Sequence, residues 1–213
     1  MMPHKSYLRT GAEALADGAV LLRGFAWSEA AELLDMVLAI TAAAPFRHMV
    51  TPGGHQMSVA MTNCGAVGWI SDRTGYRYDA VDPMTGRPWP PMPEPFSSLA
   101  SRAAAAAGFA GFVPDVCLIN RYEPGTRLSL HQDKNERDFT QPIVSVSLGL
   151  PAVFLFGGLH RSYKPVRIPL EEGDVAVWGG PARLVYHGVE KQARGPDLFA
   201  GFCRINLTFR KAL

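Results

Sequence analysis

The chain has 213 residues, 47% apolar and 19% charged, a composition that excludes a disordered or collagenous protein and suits one packed domain. Its 21 Lys and Arg against 19 Asp and Glu leave a formal charge of +2, so the bulk balance speaks against a nucleic acid or an anionic membrane as partner. Three scattered cysteines, Cys64, Cys117 and Cys203, form no C-x-x-C and cannot all pair, which argues for a reducing compartment rather than a disulfide framework.

From the start of the chain, the apolar stretch 14–25 is broken by Asp17 and Arg23 and reads as neither a signal peptide nor a membrane span, so a cytoplasmic protein is expected. Residues 30–44 carry Leu33, Leu34, Val37 and Ile40 at helical spacing, with Ser28 as the expected cap and Pro45 as the stop. Residues 46–95 turn to Gly, Pro, Met and aromatics without a sustained period, an irregular cover with short strands expected at 56–62 and 75–78. A second helix is expected at 96–107, stopped by Gly108. Beyond it, β-branched and aromatic runs recur at 116–122, 143–148, 153–156, 166–170, 175–178, 184–187 and 205–209. Strands in such number with no helix between them predict an α+β, mainly β fold: a jelly-roll core with helices packed outside, in a single domain without internal repeats.

Two sequence features carry chemistry. His131-Gln-Asp133 sets an imidazole and a carboxylate on one face of an extended chain, and His187 closes a later strand-like run, giving H-x-D…H. Two histidines and a carboxylate fill one face of an octahedral metal and leave it open for reaction, as in non-haem Fe(II) oxygenases. Alone, H-x-D is a weak signal, since His131 could equally satisfy a buried carbonyl. His4, His48, His55 and His160 lack a carboxylate at comparable spacing and read as ordinary loop residues. The stronger feature is the closing strand, where Arg204, Asn206, Thr208 and Arg210 alternate with Ile205, Leu207 and Phe209. Its polar face is either a solvated sheet surface or, beside a facial-triad metal, the cationic seat of a dicarboxylic 2-oxo acid. Asn120 and Tyr122 share a face in the same way and offer an amide and a phenol.

Longer stretches carry a resemblance. They are Phe46-Arg, Met49-Val-Thr-Pro-Gly-Gly54, Met57-Ser-Val-Ala-Met-Thr-Asn-Cys-Gly65, D-V-C-L-I-N-R-Y from Asp115 to Tyr122, and Leu128-Ser-Leu-His-Gln-Asp-Lys134. Pro142-Ile-Val-Ser-Val-Ser-Leu-Gly-Leu-Pro151, Gly173-Asp-Val-Ala-Val-Trp-Gly-Gly180, Tyr186-His-Gly188 and the R-x-N-L-T-F-R close follow. Over residues 19–210 the chain resembles the bacterial AlkB-type nucleic-acid demethylases, which depend on 2-oxoglutarate and Fe(II). That resemblance implies a double-stranded β-helix (jelly roll) core at about 115–210, flanking N-terminal helices, and a nucleotide-recognition lid and cover at about 46–95. It implies His131, Asp133 and His187 as iron ligands, with Arg210 counted beside them in the catalytic centre. Asn120, Tyr122, Arg204, Asn206 and Arg210 become the 2-oxoglutarate site, Arg204 on the distal carboxylate and Arg210 nearer the chelating end.

The lid residues follow from the same resemblance. Trp69 stacks on a flipped base, Tyr76 meets the nucleotide backbone, and Thr51, Met57, Tyr78, Asn135 and Arg161 complete the substrate pocket. The family reaction consumes O2 and 2-oxoglutarate, oxidises an N-methyl group such as that of 1-methyladenine or 3-methylcytosine, and releases formaldehyde, succinate and CO2. The expected partner is alkylated single- or double-stranded DNA, or RNA, acted on by a monomer with no membrane contact. One departure stands out: the family carries a carboxylate two residues after the aspartate ligand, and this chain has Asn135, which weakens selection for a cationic base. Rival readings are an Fe(II)/2-oxoglutarate hydroxylase of a protein or metabolite, and a non-catalytic jelly-roll binding module. Arg127, Lys134, Arg161, Lys164 and Arg167, with no carboxylate between Asp138 and Glu171, form a local basic rim that reopens the case for nucleic acid despite the small net charge.

Overall fold

A computed structural model describes residues 10–192 and 203–213; His4 lies outside them. The elements, in chain order, are β1 (Gly11–Ala16), β2 (Ala19–Arg23), α1 (Ala30–Ala43), β3 (Arg47–Val50), β4 (Gln56–Gly65), β5 (Gly68–Asp72) and β6 (Gly75–Asp79). The two-residue strands β7 (Val81–Asp82) and β8 (Arg87–Pro88) lead to α2 (Glu94–Ala106). There follow β9 (Val116–Tyr122), β10 (Leu128–His131), β11 (Ile143–Gly149), β12 (Ala152–Phe156), β13 (Val166–Leu170), β14 (Val175–Trp178), β15 (His187–Val189) and β16 (Arg204–Arg210).

Two antiparallel sheets face each other, as the jelly-roll expectation requires. The larger has the order β1-β2-β14-β11-β16-β9-β4-β3 and the smaller β10-β15-β12-β13. β16 sits in the middle of the larger sheet, between β11 and β9. A central strand has both faces covered, so its alternation sorts residues between two interiors. Ile205, Leu207 and Phe209 join Leu33, Val37, Ile40, Phe96 and Leu99 in the core beneath the two helices. The polar residues of β16 turn toward the other sheet and are buried as well, which overturns the solvated-surface alternative. A second core of Leu21, Met61, Ile143, Phe154, Phe156, Ile168 and Trp178 closes the space between the sheets.

Several boundaries differ from the sequence expectation. The chain enters α1 through a 3-10 turn at Trp27–Glu29, so Ser28 sits inside that turn and makes no capping bond. Residues 184–186 are not a strand: a 3-10 turn at Gly180–Ala182 runs into them, and pairing begins only at His187. β1 and β2 form a hairpin over a region for which no strand is expected from the sequence, joined at Asp17-Gly18 with Gly18 at φ +75°. Among the described residues no helix is long and apolar enough to cross a membrane.

Candidate active site

Between the sheets lies a cavity of about 810 Å³ whose floor is the polar face of β16. Strand register assembles it. Arg204 stands opposite Tyr122, Asn206 opposite both Asn120 and Ser147, and Thr208 opposite Ser145, so three adjacent strands present polar side chains to one space. Asn206 donates to Ser145 Oγ (2.8 Å) and to the Val146 carbonyl (3.0 Å), and its Oδ1 accepts from Asn120 Nδ2 (3.1 Å) and Thr208 Oγ1 (2.9 Å).

Arg204 is 1% exposed and lies over the Tyr122 ring at 5.6 Å. One Nη2 donates to Ser147 Oγ (3.2 Å), while Nε and Nη1 are buried with no partner. Burial pulls its pKa down, with the Tyr122 phenol and Asp174 opposing, and pushes the Tyr122 phenol up to about 12. A buried cation with idle donors is costly unless a ligand completes it. The ligand that fits is a carboxylate, which takes two parallel N–H bonds from a guanidinium.

His131 ends β10 and His187 opens β15, and the two are paired directly in register. Their rings lie 4.4 Å apart. Asp133, two residues beyond His131, brings Oδ1 to 3.7 Å from His131 Nε2 and Oδ2 to 3.8 Å from His187 Nε2. Nδ1 of His131 lies 2.9 Å from the Ser129 carbonyl and Nδ1 of His187 lies 3.0 Å from that of Val185. A carbonyl only accepts, so each Nδ1 carries the proton and each Nε2 turns a lone pair inward. Burial, with His131 nearby, drives the His187 pKa down to about 3 and keeps its ring neutral. Burial alone would raise Asp133; the charge of Arg210 and its hydrogen bonds outweigh it and hold the carboxyl below the usual range. The ligand atoms of the three residues lie within 4.8 Å of one another. Two imidazoles and one carboxylate, with the cavity on the open side, fit Fe(II).

Arg210 fixes the carboxylate of Asp133 through Nε (2.9 Å) and Nη2 (2.7 Å), both on Oδ2. Burial opposes the charge on Arg210, but Asp133, Tyr78 and Glu136 raise its pKa. Behind it stands a group that spacing did not reveal. Glu136 is buried, accepts from Arg183 Nη2 (2.9 Å), stands 3.7 Å from Arg210 Nε, and accepts the Tyr78 hydroxyl. Arg183 also donates to the backbone carbonyl of Asp133 (2.8 Å). Two arginines therefore hold Asp133 from side chain and backbone, with Glu136 balancing the charge.

The hairpin β5–β6 covers the cavity. Trp69 stacks on Tyr76 with ring centroids 5.7 Å apart and planes at 16°, and its Nε1 donates to Asn135 Oδ1 (3.2 Å). Asn63, also unforeseen, clamps the Trp69 backbone with two bonds of 3.0 Å. The residue that plugs the small core under the cover is Trp89, packed so closely on Gly68 that a methyl there would lie 2.3 Å from its ring. Thr51, Met57, Trp69, Tyr76, Asn135 and Arg161 all line the cavity, whereas Tyr78 does not: its hydroxyl is spent on Glu136. Met49 is buried core, and His55, expected to be an ordinary loop residue, lies on the cavity wall.

A jelly roll whose cavity gathers a His-Asp-His cluster defines a class, and residues 18–210 match the family model of the 2OG-Fe(II) oxygenase superfamily, to which the chain belongs. Over 200 residues it is 58% identical to the alpha-ketoglutarate-dependent dioxygenase AlkB of Salmonella typhimurium, spanning 94% of this chain and 93% of that one. The protein of that name from Escherichia coli is 56% identical over the same shares. Among solved structures, OsALKBH1 superposes with a TM-score of 0.76 at 29% identity, covering 93% of this chain and all of the other. Within its superfamily the chain is thus an AlkB-type dioxygenase, dependent on Fe(II) and 2-oxoglutarate.

Proposed function

We propose that this dioxygenase demethylates N-alkylated bases in DNA, and in RNA, as a repair reaction, with His131, Asp133 and His187 holding the iron. Fe(II), O2 and 2-oxoglutarate together supply the oxidation that turns an N-methyl group into a hydroxymethyl group lost as formaldehyde, with succinate and CO2 as co-products. The protein's part is placement. Arg204 takes the distal carboxylate of 2-oxoglutarate with the donors that burial leaves idle. Ser145, Ser147, Asn120 and Asn206 fix the walls of that seat, and Arg210 keeps Asp133 ionised and correctly turned.

A base reaches the centre only by leaving its stack. Trp69 then offers an aromatic face at the cavity mouth, and a methylated cationic ring gains from that face. The observation that carries this reading is the sharing of one cavity by the metal cluster, the buried Arg204 and the Trp69–Tyr76 stack. A hydroxylase of free metabolites has no use for the aromatic cover. Three unpaired cysteines fit a cytoplasmic protein, and a monomer suffices because one chain lines the whole site. The discriminating experiment offers iron, 2-oxoglutarate and O2 with either a 1-methyladenine oligonucleotide or methylated amino acids. Formaldehyde from the oligonucleotide alone is expected; formaldehyde from the amino acids alone would exclude the reading.

A further inference from the structure

Nine residues, 157–165, join β12 to β13 and, beyond Arg161 on the cavity wall, carry a surface that the reaction does not use. The turn is built firmly. Gly157 N–H donates to the Tyr186 carbonyl (2.8 Å), Tyr186 N–H returns a bond to the Gly158 carbonyl (2.9 Å), and Tyr163 N–H closes on the His160 carbonyl (3.1 Å). The Tyr163 ring lies on Gly158 so tightly that a methyl group there would come within 2.4 Å of Cδ2, and His160 meets the ring edge-on at 5.1 Å. Yet Tyr163 is 56% exposed. Single exposed apolar side chains are ordinary on any surface. This one is immobilised before anything binds it, which removes the ordering cost that a mobile ring would charge to a stacking partner.

Its neighbours specify the partner. Arg161 and Lys164 flank Tyr163, and among the described residues neither is ion-paired, whereas Arg167 beyond them is held by Glu190 (2.7 Å). Arg161 lies over the Tyr186 ring at 6.0 Å, and both line the cavity wall, so the turn begins where the cavity opens. A fixed aromatic face between two free cations is the pattern that grips single-stranded nucleic acid, where bases stack and phosphates pair with cations.

We infer that the 157–165 turn is a second nucleic-acid contact: Tyr163 stacks on a base flanking the extruded one, and Arg161 and Lys164 hold the phosphates alongside. The inference rests on the proposed nucleic-acid substrate and extends the interface to a residue outside the cover.

The test uses the iron-loaded full chain, a fluorescently labelled single-stranded 12-mer carrying one 1-methyladenine, and 1-methyl-dAMP, which is too short to reach the turn. Stacking on one aromatic ring predicts that Tyr163→Ala raises the Kd for the 12-mer roughly five- to twentyfold. Tyr163→Phe keeps the stacking face and should stay within about twofold of the wild type, because the π-face rather than the hydroxyl carries stacking. Removing one phosphate contact with Lys164→Ala should lower the slope of log Kd against log salt by about 0.7. An unchanged Kd for Tyr163→Ala, an equal loss with Tyr163→Phe, or an equal loss of kcat/KM on 1-methyl-dAMP would overturn the contact. The two readings fail separately. Binding with these sensitivities but no formaldehyde would remove the demethylase reading and leave the contact, and demethylation with an indifferent Tyr163 would do the reverse.

Discussion

At the scale of single residues, position 135 decides how the cavity mouth treats charge. Asn135 gives Trp69 an acceptor at 3.2 Å but brings no negative charge to the ring that a methylated base would cover. Glu136 cannot substitute, because Arg183, Arg210 and Tyr78 already engage it in a buried network. Asn135→Asp keeps the acceptor and adds the charge. For a partly exposed pair worth about 1 kcal/mol, the ratio of kcat/KM on cationic 1-methyladenine to that on a neutral lesion should rise about fivefold. Identical ratios for the two variants, measured across a lesion series, would show that selection lies elsewhere.

At the scale of elements, the β5–β6 hairpin and the segment after Asp133 act together. Trp69 and Tyr78 are register partners in the hairpin, and they grip the consecutive residues Asn135 and Glu136. Tyr78→Phe removes the buried bond. The loss of a hydrogen bond to a buried carboxylate costs about 2 kcal/mol, which for a chain of this size lowers Tm by roughly 4–8 °C. The oligonucleotide KM should rise more than the 2-oxoglutarate KM, since the cover loosens while Arg204 stays in place; equal rises would place Tyr78 in the general fold instead.

Most of this architecture is legible in the sequence where local pattern governs. The alternation of β16 is readable because a central strand must sort its residues, and only the burial of its polar face required the structure. His131 and His187 are readable as a pair, although Leu184-Val-Tyr looks like a strand and is a turn following a 3-10 helix. Asp17-Gly18 is a hairpin signal that the weak alternation around it hides. The Glu136 network leaves no trace of this kind: its bonds to Arg183 and Tyr78 span 47 and 58 residues, so no spacing rule can join them.

At the scale of the whole molecule, a net charge of +2 says little about the partner, because Arg127, Lys134 and Arg161 line the cavity and Lys164 sits on the β12–β13 turn whatever the sum. The cover is tied to the main sheet by a partly buried ion pair, Arg47 from β3 with Asp82 from β7, and Arg47 also lies over Trp89 at 5.1 Å. Burial would raise the Asp82 pKa, but Arg47, the Met84 N–H and Thr85 bring it below its ordinary value. An unfolded chain therefore takes up a proton at Asp82 before the folded one does. The stabilisation is complete above about pH 4, the unfolded value for an aspartate, and disappears as pH falls through the folded pKa. Asp82→Asn removes the charged partner of a partly buried arginine that keeps its bonds to the Pro45 carbonyl, and should cost about 2 kcal/mol at neutral pH. In urea melts between pH 2 and 7 the variant should lack this part of the acid sensitivity; an acid limb parallel to that of the wild type would rule out Asp82 as its source.

One cavity joins oxidation of 2-oxoglutarate to removal of a methyl group from a base, and measuring both products in one reaction tests that coupling most directly. With Fe(II), O2, 2-oxoglutarate and a 1-methyladenine oligonucleotide, formaldehyde and succinate should appear in equal amounts, and both should vanish in His131→Ala. Succinate formed without formaldehyde, or both products retained in that variant, would contradict it.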